Sequence, residues 1–239
     1  MKRILLIILI LLIAVSASGM MLIGGKPVGG KATIGYNTEN HGTANATNTI
    51  QVSIDPVDGA SNKVLIIGIG WEAIATRTIG TVTYDGDACT VIDAQPYEAS
   101  DLDGVALYYF LAPVDTAKDI VVTMSDTCAG ISMGAVVLNN VKQQAYEAKN
   151  KAEGNSTTAA VTVTTLTDGA WVVDVVGNIS STATNTPDTG DERWTASDDQ
   201  TTDMSTILKA SFGAEARSWT INSSQQWGIV GSAWEPADL

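Results

Sequence analysis

From residue 50 to residue 234 the chain is a succession of short apolar or alternating runs, separated by Gly, Asn, Asp, Ser and Thr. The runs fall at 50–54, 64–71, 80–84, 90–92, 105–111, 120–124 and 133–138, then at 160–165, 170–176, 193–196, 206–212, 219–221 and 227–234. Outside the leader, only 143–151 hints at a helical period. Segments this short must stack in sheets to bury their apolar faces. The spacing predicts an all-β fold, a two-sheet antiparallel β-sandwich of jelly-roll-like type filling 50–239 as one domain, with no repeat of fixed period. The runs at 64–71 and 171–176 are apolar on both faces, so they are expected in the sheet centres. Tyr84-Asp85-Gly86-Asp87 has the Asp-Gly pair of a tight hairpin.

Lys2 and Arg3 precede an uncharged apolar run over 4–15, which ends in Ser16, Ala17, Ser18 and Gly19. That is the layout of a secretory signal over 1–17, cleaved to leave Ser18 first. Because Met20, Met21, Leu22 and Ile23 extend the apolar character, a retained anchor to about residue 23 is the second reading, and only it gives a membrane contact. No lipobox cysteine is present. In type IV pilins and archaellins a similar apolar segment is kept as a filament core beneath a β-rich head. The likeness is one of layout, and here Arg3 abuts Ile4 where those families place a small residue before the cut.

Without the leader, 11 basic residues face 26 acidic ones, a charge of about −15. Such a surface repels phosphate backbones and anionic lipid, which excludes nucleic acid recognised through a basic footprint. It also supplies carboxylates for calcium as a possible cofactor; the candidates in predicted loops are Asp85, Asp87, Asp101, Asp103, Asp188 and Asp191, together with a cluster of Asp198, Asp199 and Asp203. None has the spacing of an EF-hand. Cys89 and Cys128 are the only cysteines, and in an exported chain they are expected to form a disulfide, contributing about 4 kcal/mol through the long loop closed.

Residues 18–49 read as an N-terminal extension. Within it 31–36 alternates, with Ala32, Ile34 and Tyr36 on one face, while 37–49 lacks large apolar side chains and reads as a flexible linker. A strand on a tether suggests a donor strand that enters a neighbouring subunit and builds a homo-oligomer or filament.

The segments 61–69, 82–86 and 108–113, followed by 169–174 and the closing 227–234 strand, resemble jelly-roll-like β-sandwich modules of bacterial, archaeal and phage surface proteins. The resemblance spans about 50–236 and implies fold and compartment. It carries no functional residue.

Catalytic patterns are wanting. The one histidine, His41, lies in the predicted linker, where nothing would hold it between a nucleophile and a carboxylate, and no nucleophile elbow, phosphate loop or metalloprotease helix occurs. Two cysteines and one histidine are too few for a zinc site. For a glycan ligand, Trp194 and Tyr97 are the aromatics expected to be exposed; Trp71, Trp171, Trp219, Trp227 and Trp234 fall in strands and are expected in the core. Sequons at Asn45, Asn155, Asn178 and Asn222 are candidate glycosylation sites. These observations point to a non-enzymatic extracellular structural protein, with a carbohydrate-binding or adhesive module and a pilin-like subunit as alternatives.

Overall fold

The computed structural model describes residues 30–57, 59–97, 102–197 and 199–239; the signal or anchor segment lies outside them. The expected two-sheet antiparallel sandwich is the fold. Its first sheet contains β1 (Gly35–Ile54), β2 (Val64–Glu72), β3 (Ile79–Tyr84), β4 (Asp87–Ala88), β5 (Thr90–Pro96), β6 (Gly104–Leu111) and β7 (Lys118–Asn139). The second contains β8 (Ala148–Thr165), β9 (Ala170–Asn178), β10 (Asn185–Pro187), β11 (Asp191–Ser197), β12 (Thr201–Lys209) and β13 (Gly213–Trp234). Strands β2 and β9 are central, as expected, each flanked on both sides. Asp85 and Gly86 both take positive φ in the β3–β4 hairpin.

Each sheet comes from one contiguous half of the chain, and the two halves repeat a single plan. The order β3-β7-β2-β6-β5 in the first sheet corresponds to β10-β13-β9-β12-β11 in the second, while β1 pairs with β7 as β8 pairs with β13. Local details repeat as well. The β5–β6 pairing skips a residue between Val91 and Asp93, and the β11–β12 pairing skips one between Glu192 and Trp194. Asn40 Nδ2 donates to Ser53 O at 2.7 Å, and Asn150 Nδ2 donates to Thr162 O at 2.8 Å. At the bend of each long strand, Thr49 N donates to Thr47 Oγ1 and Thr158 N to Ser156 Oγ, both at 3.2 Å. The chain is thus an internal duplication, which was not visible as a sequence period.

The asparagine bonds show how each half closes. Residues 40 and 53 lie on the same strand and still touch, so the β1–β7 ribbon folds back over itself, and the β8–β13 ribbon does the same. Each half thereby encloses its own core. The first holds Ile50, Val52, Leu65, Ile67, Trp71, Val82, Ile120, Val122 and Met133; the second holds Ala159, Val161, Val176, Trp219, Ile221, Trp227 and Ile229. A third core joins the halves, with Val64, Ile66, Leu107, Val136 and Leu138 packed against Val173, Val175, Met204, Val230 and Trp234.

Several expectations are corrected. The linker predicted over 37–49 is part of β1 and pairs with β7 along its length. A strand at a ribbon edge gains its stability from the backbone ladder, so a lack of large side chains did not forbid it. The proposed donor segment is held within its own chain: Lys31 bridges to Asp238, Ala32 N donates to Ala237 O at 2.8 Å, and Ile34 is buried in the inter-half core. Tyr36 turns outward under the Arg193 guanidinium, 4.2 Å from its ring centroid, so Ala32, Ile34 and Tyr36 do not form one apolar face. The weak helical period at 143–151 runs instead into β8.

Candidate functional site

A buried polar constellation lies inside the C-terminal half. Side chains alternate along β12, so Met204 faces the inter-half core while Asp203 and Ser205 point into the half's own interior. Asp174 on β9 accepts from Arg217 Nε at 2.6 Å, from Trp219 Nε1 at 2.6 Å and from Ser205 Oγ at 3.0 Å. Arg217 also donates to Ser205 Oγ and, at 2.8 Å, to Thr189 Oγ1. Both charged partners have 0% exposure. A second chain runs from Asn178 Nδ2 to Asn185 Oδ1 at 2.7 Å and from Asn185 Nδ2 to Asp203 Oδ2 at 2.5 Å. Burial pushes the Asp203 carboxyl up to about 7, with Glu192 adding repulsion against bonds from Thr195 and Asn185.

Chemically this arrangement binds its own members. A guanidinium that donates to a carboxylate and two hydroxyls and has no exposed surface is closed to a substrate. The network holds β9, β12, β13 and the turn before β11 together. No sequence pattern pointed to it, because Asp174 sits in an apolar run and Arg217 is 43 residues away.

Between the halves, aromatic side chains dock on glycines. A Cβ at Gly134 on β7 would overlap the Trp194 ring, and one at Gly177 on β9 or Gly228 on β13 would overlap Val105 or Tyr97. Trp194 and Tyr97, expected to be exposed for a glycan, are therefore buried at 2% and 4%, and Tyr97 OH donates to Gln200 Oε1 at 2.8 Å. Of the tryptophans expected in the core, Trp71, Trp219, Trp227 and Trp234 are buried, whereas Trp171 is half-buried beside Arg193. His41, on β1 rather than on a linker, stacks on Trp194 with centroids 6.2 Å apart.

The expected disulfide does not form: Cys89 and Cys128 are free thiols. Cys89 N donates to Val82 O on β3, which lies between Cys89 and β7, and two strand spacings of about 4.8 Å exceed a disulfide's reach. Burial pushes the Cys89 thiol up to about 12.

The candidate calcium ligands are dispersed. Asp85 pairs with Lys118 at 2.9 Å, Asp191 with Arg193 at 3.1 Å, and Asp188 accepts from Ser218 Oγ at 2.6 Å and Thr220 Oγ1 at 2.8 Å. Buried Asp103 accepts from Ala73 N at 3.2 Å, and Asp87 is exposed on β4. Asp101 and Asp198 lie outside the described residues, while Asp199 is exposed. Among the described residues no group of three or more His, Cys, Asp or Glu converges. Of the sequons, Asn45, Asn155 and Asn222 are exposed near the ribbon bends. Asn178 has no exposed surface and its amide is spent on Asn185, so in the folded chain it cannot take a glycan.

Compared with known proteins, the chain matches no family model and no curated relative.

Proposed function

We propose that this chain is a non-enzymatic structural protein of the cell exterior, a building unit of a surface layer or filament. The observation that carries this reading is where the chain puts its reactive side chains. Arg217, Asp174, Asp203 and Trp194 all lie in the interior or between the halves, where they hold strands in place. The secretory-type leader and the acidic surface support the compartment. Assembly through a free N-terminal strand loses its premise, since 31–36 pairs within the chain; contact between whole folded units is the remaining route.

Fractionation of the producing cells, followed by electron microscopy of the native surface material, tests the reading. The chain is expected in the extracellular or envelope fraction, within regular assemblies. Recovery from the cytoplasm, or turnover of a polysaccharide or peptide substrate by the pure protein, overturns it.

A further inference from the structure

The two poles of the sandwich differ in chemistry. Residue 30 and the C-terminus meet at one pole, where Leu239 N donates to Gly30 O at 2.9 Å; the ribbon bends around residues 47 and 156 form the other. Of the nine exposed large apolar side chains among the described residues, six stand at the terminal pole: Val57, Val114, Leu166, Leu208, Phe212 and Leu239. Their placement follows from hydrogen bonds and pairing. Val57 N is held by Asn37, Leu166 N by Glu147 and Phe212 N by Asp168, and Leu208 pairs with Trp171 at the start of β9. A seventh, Tyr36, lies under Arg193 at the same pole. The bend pole instead presents Asn45, Asn48, Asn155, Asn222, Ser223 and Ser224, all exposed, including three of the four sequon asparagines.

We infer that the terminal pole is a bilayer-docking surface, its apolar loop tips seated at the boundary between headgroups and acyl chains, with the amide- and hydroxyl-rich pole facing outward. The commitment to lipid rests on where the chain continues: the apolar stretches 4–15 and 20–23 lead into the domain at this pole, with six residues between Ile23 and Gly30 and only Lys26 charged among them. Retained in a membrane, that segment brings the loop tips within reach of the interface, where partly exposed Leu, Val and Phe gain burial that water denies them. Among the described residues no helix is long and apolar enough to cross a membrane. Lysines at this pole are engaged in ion pairs, Lys31 and Lys142 with Glu235, Lys118 with Asp85 and Lys209 with Glu215. The docking is therefore apolar and does not need anionic lipid. The inference rests on the exported reading above in its second form, with the N-terminal segment retained as an anchor rather than cleaved before Ser18, and adds an orientation to it.

The test uses the full chain, residues 1–239, reconstituted in phosphatidylcholine vesicles that contain brominated acyl chains. Phe212→Trp places a reporter at the terminal pole, and Ile74→Trp places one near the bend pole, where the side chain is 88% exposed. Emission added by the Phe212→Trp reporter is expected to be quenched about twofold or more by the bromolipid, and that added by Ile74→Trp to be unchanged. Equal response of the two reporters overturns the inference. So does a Phe212→Trp reporter shielded from aqueous iodide without bromolipid quenching, which assigns the pole to a second copy. Native protein recovered from the medium without residues 1–29 also overturns it while leaving the exterior structural role intact; a cytoplasmic protein would fail both.

Discussion

In the N-terminal half, Ile67, Tyr108, Ile120 and Val122 come from strands that enclose a largely apolar core. By pairing register, the same four positions in the C-terminal half hold Asp174, Ser205, Arg217 and Trp219. Ala106 corresponds in the same way to Asp203. One strand plan thus closes around hydrocarbon in one copy and around a buried ion pair in the other. What the copies share is at the bends and edges: the strand order, the skipped residue on the edge strand, the asparagine clamp and the hydroxyl at the bend. One topology is thus compatible with two different core fillings, one apolar and one built on a hydrogen-bonded ion pair.

The widest test of that contrast is to break the ion pair. Arg217→Ala leaves Asp174 buried and unpaired, and chemical denaturation is expected to show a loss of about 3–5 kcal/mol. Giving the second half an apolar filling like that of the first, by combining Asp174→Leu, Arg217→Met and Trp219→Phe, is expected to restore most of that loss, because replacing a whole buried pair costs far less than orphaning one partner. If the triple variant is no more stable than the single one, the two cores are not interchangeable.

Acidity should separate the halves next. With its pKa raised to about 7, folded Asp203 keeps a proton that the unfolded chain releases above about 4. Its contribution is therefore most favourable in acid, falls as pH rises through that window by up to about 1.4 kcal/mol per unit, and is constant above about 7. Asp203→Asn is expected to flatten that component in stability–pH profiles; an unchanged slope would place the titration elsewhere.

Close approach between the halves gives a smaller effect. Gly134 corresponds by register to Val230, and Gly134→Val is expected to cost about 1–3 kcal/mol by displacing Trp194, with a matching change in tryptophan emission. The smallest effect tests the duplication itself: Asn40→Ala and Asn150→Ala should each cost about 1 kcal/mol, and the two values should agree within about 0.5 kcal/mol. A clear inequality would mean that the clamps do different work in the two copies.

Much of the architecture was legible. Continuous apolar runs marked β2 and β9, and Asp85-Gly86 marked its hairpin. Three things were not. Strand β12 opens with Thr201, Thr202 and Asp203, polar residues that resemble a loop yet are fully buried: Thr201 donates to Ala183 O, Thr202 packs over Gly70 of the other half and Asp203 accepts from Asn185. The first part of β1 resembles a linker because a ribbon edge draws its stability from backbone pairing. Trp194 looks exposed beside an acidic loop, but a glycine on a strand of the other half leaves a slot for its ring.

The sequence by itself determined the fold class, the central strands and the acidity, because apolar periodicity, turn chemistry and charge are local properties of the chain. Only the tertiary structure decided that the chain is a folded-over duplication, that Cys89 and Cys128 stay apart, and that Asp174 meets Arg217. Those outcomes depend on strand register and on how each ribbon bends back on itself, and register brings together residues whose spacing in the chain carries no signal of their contact.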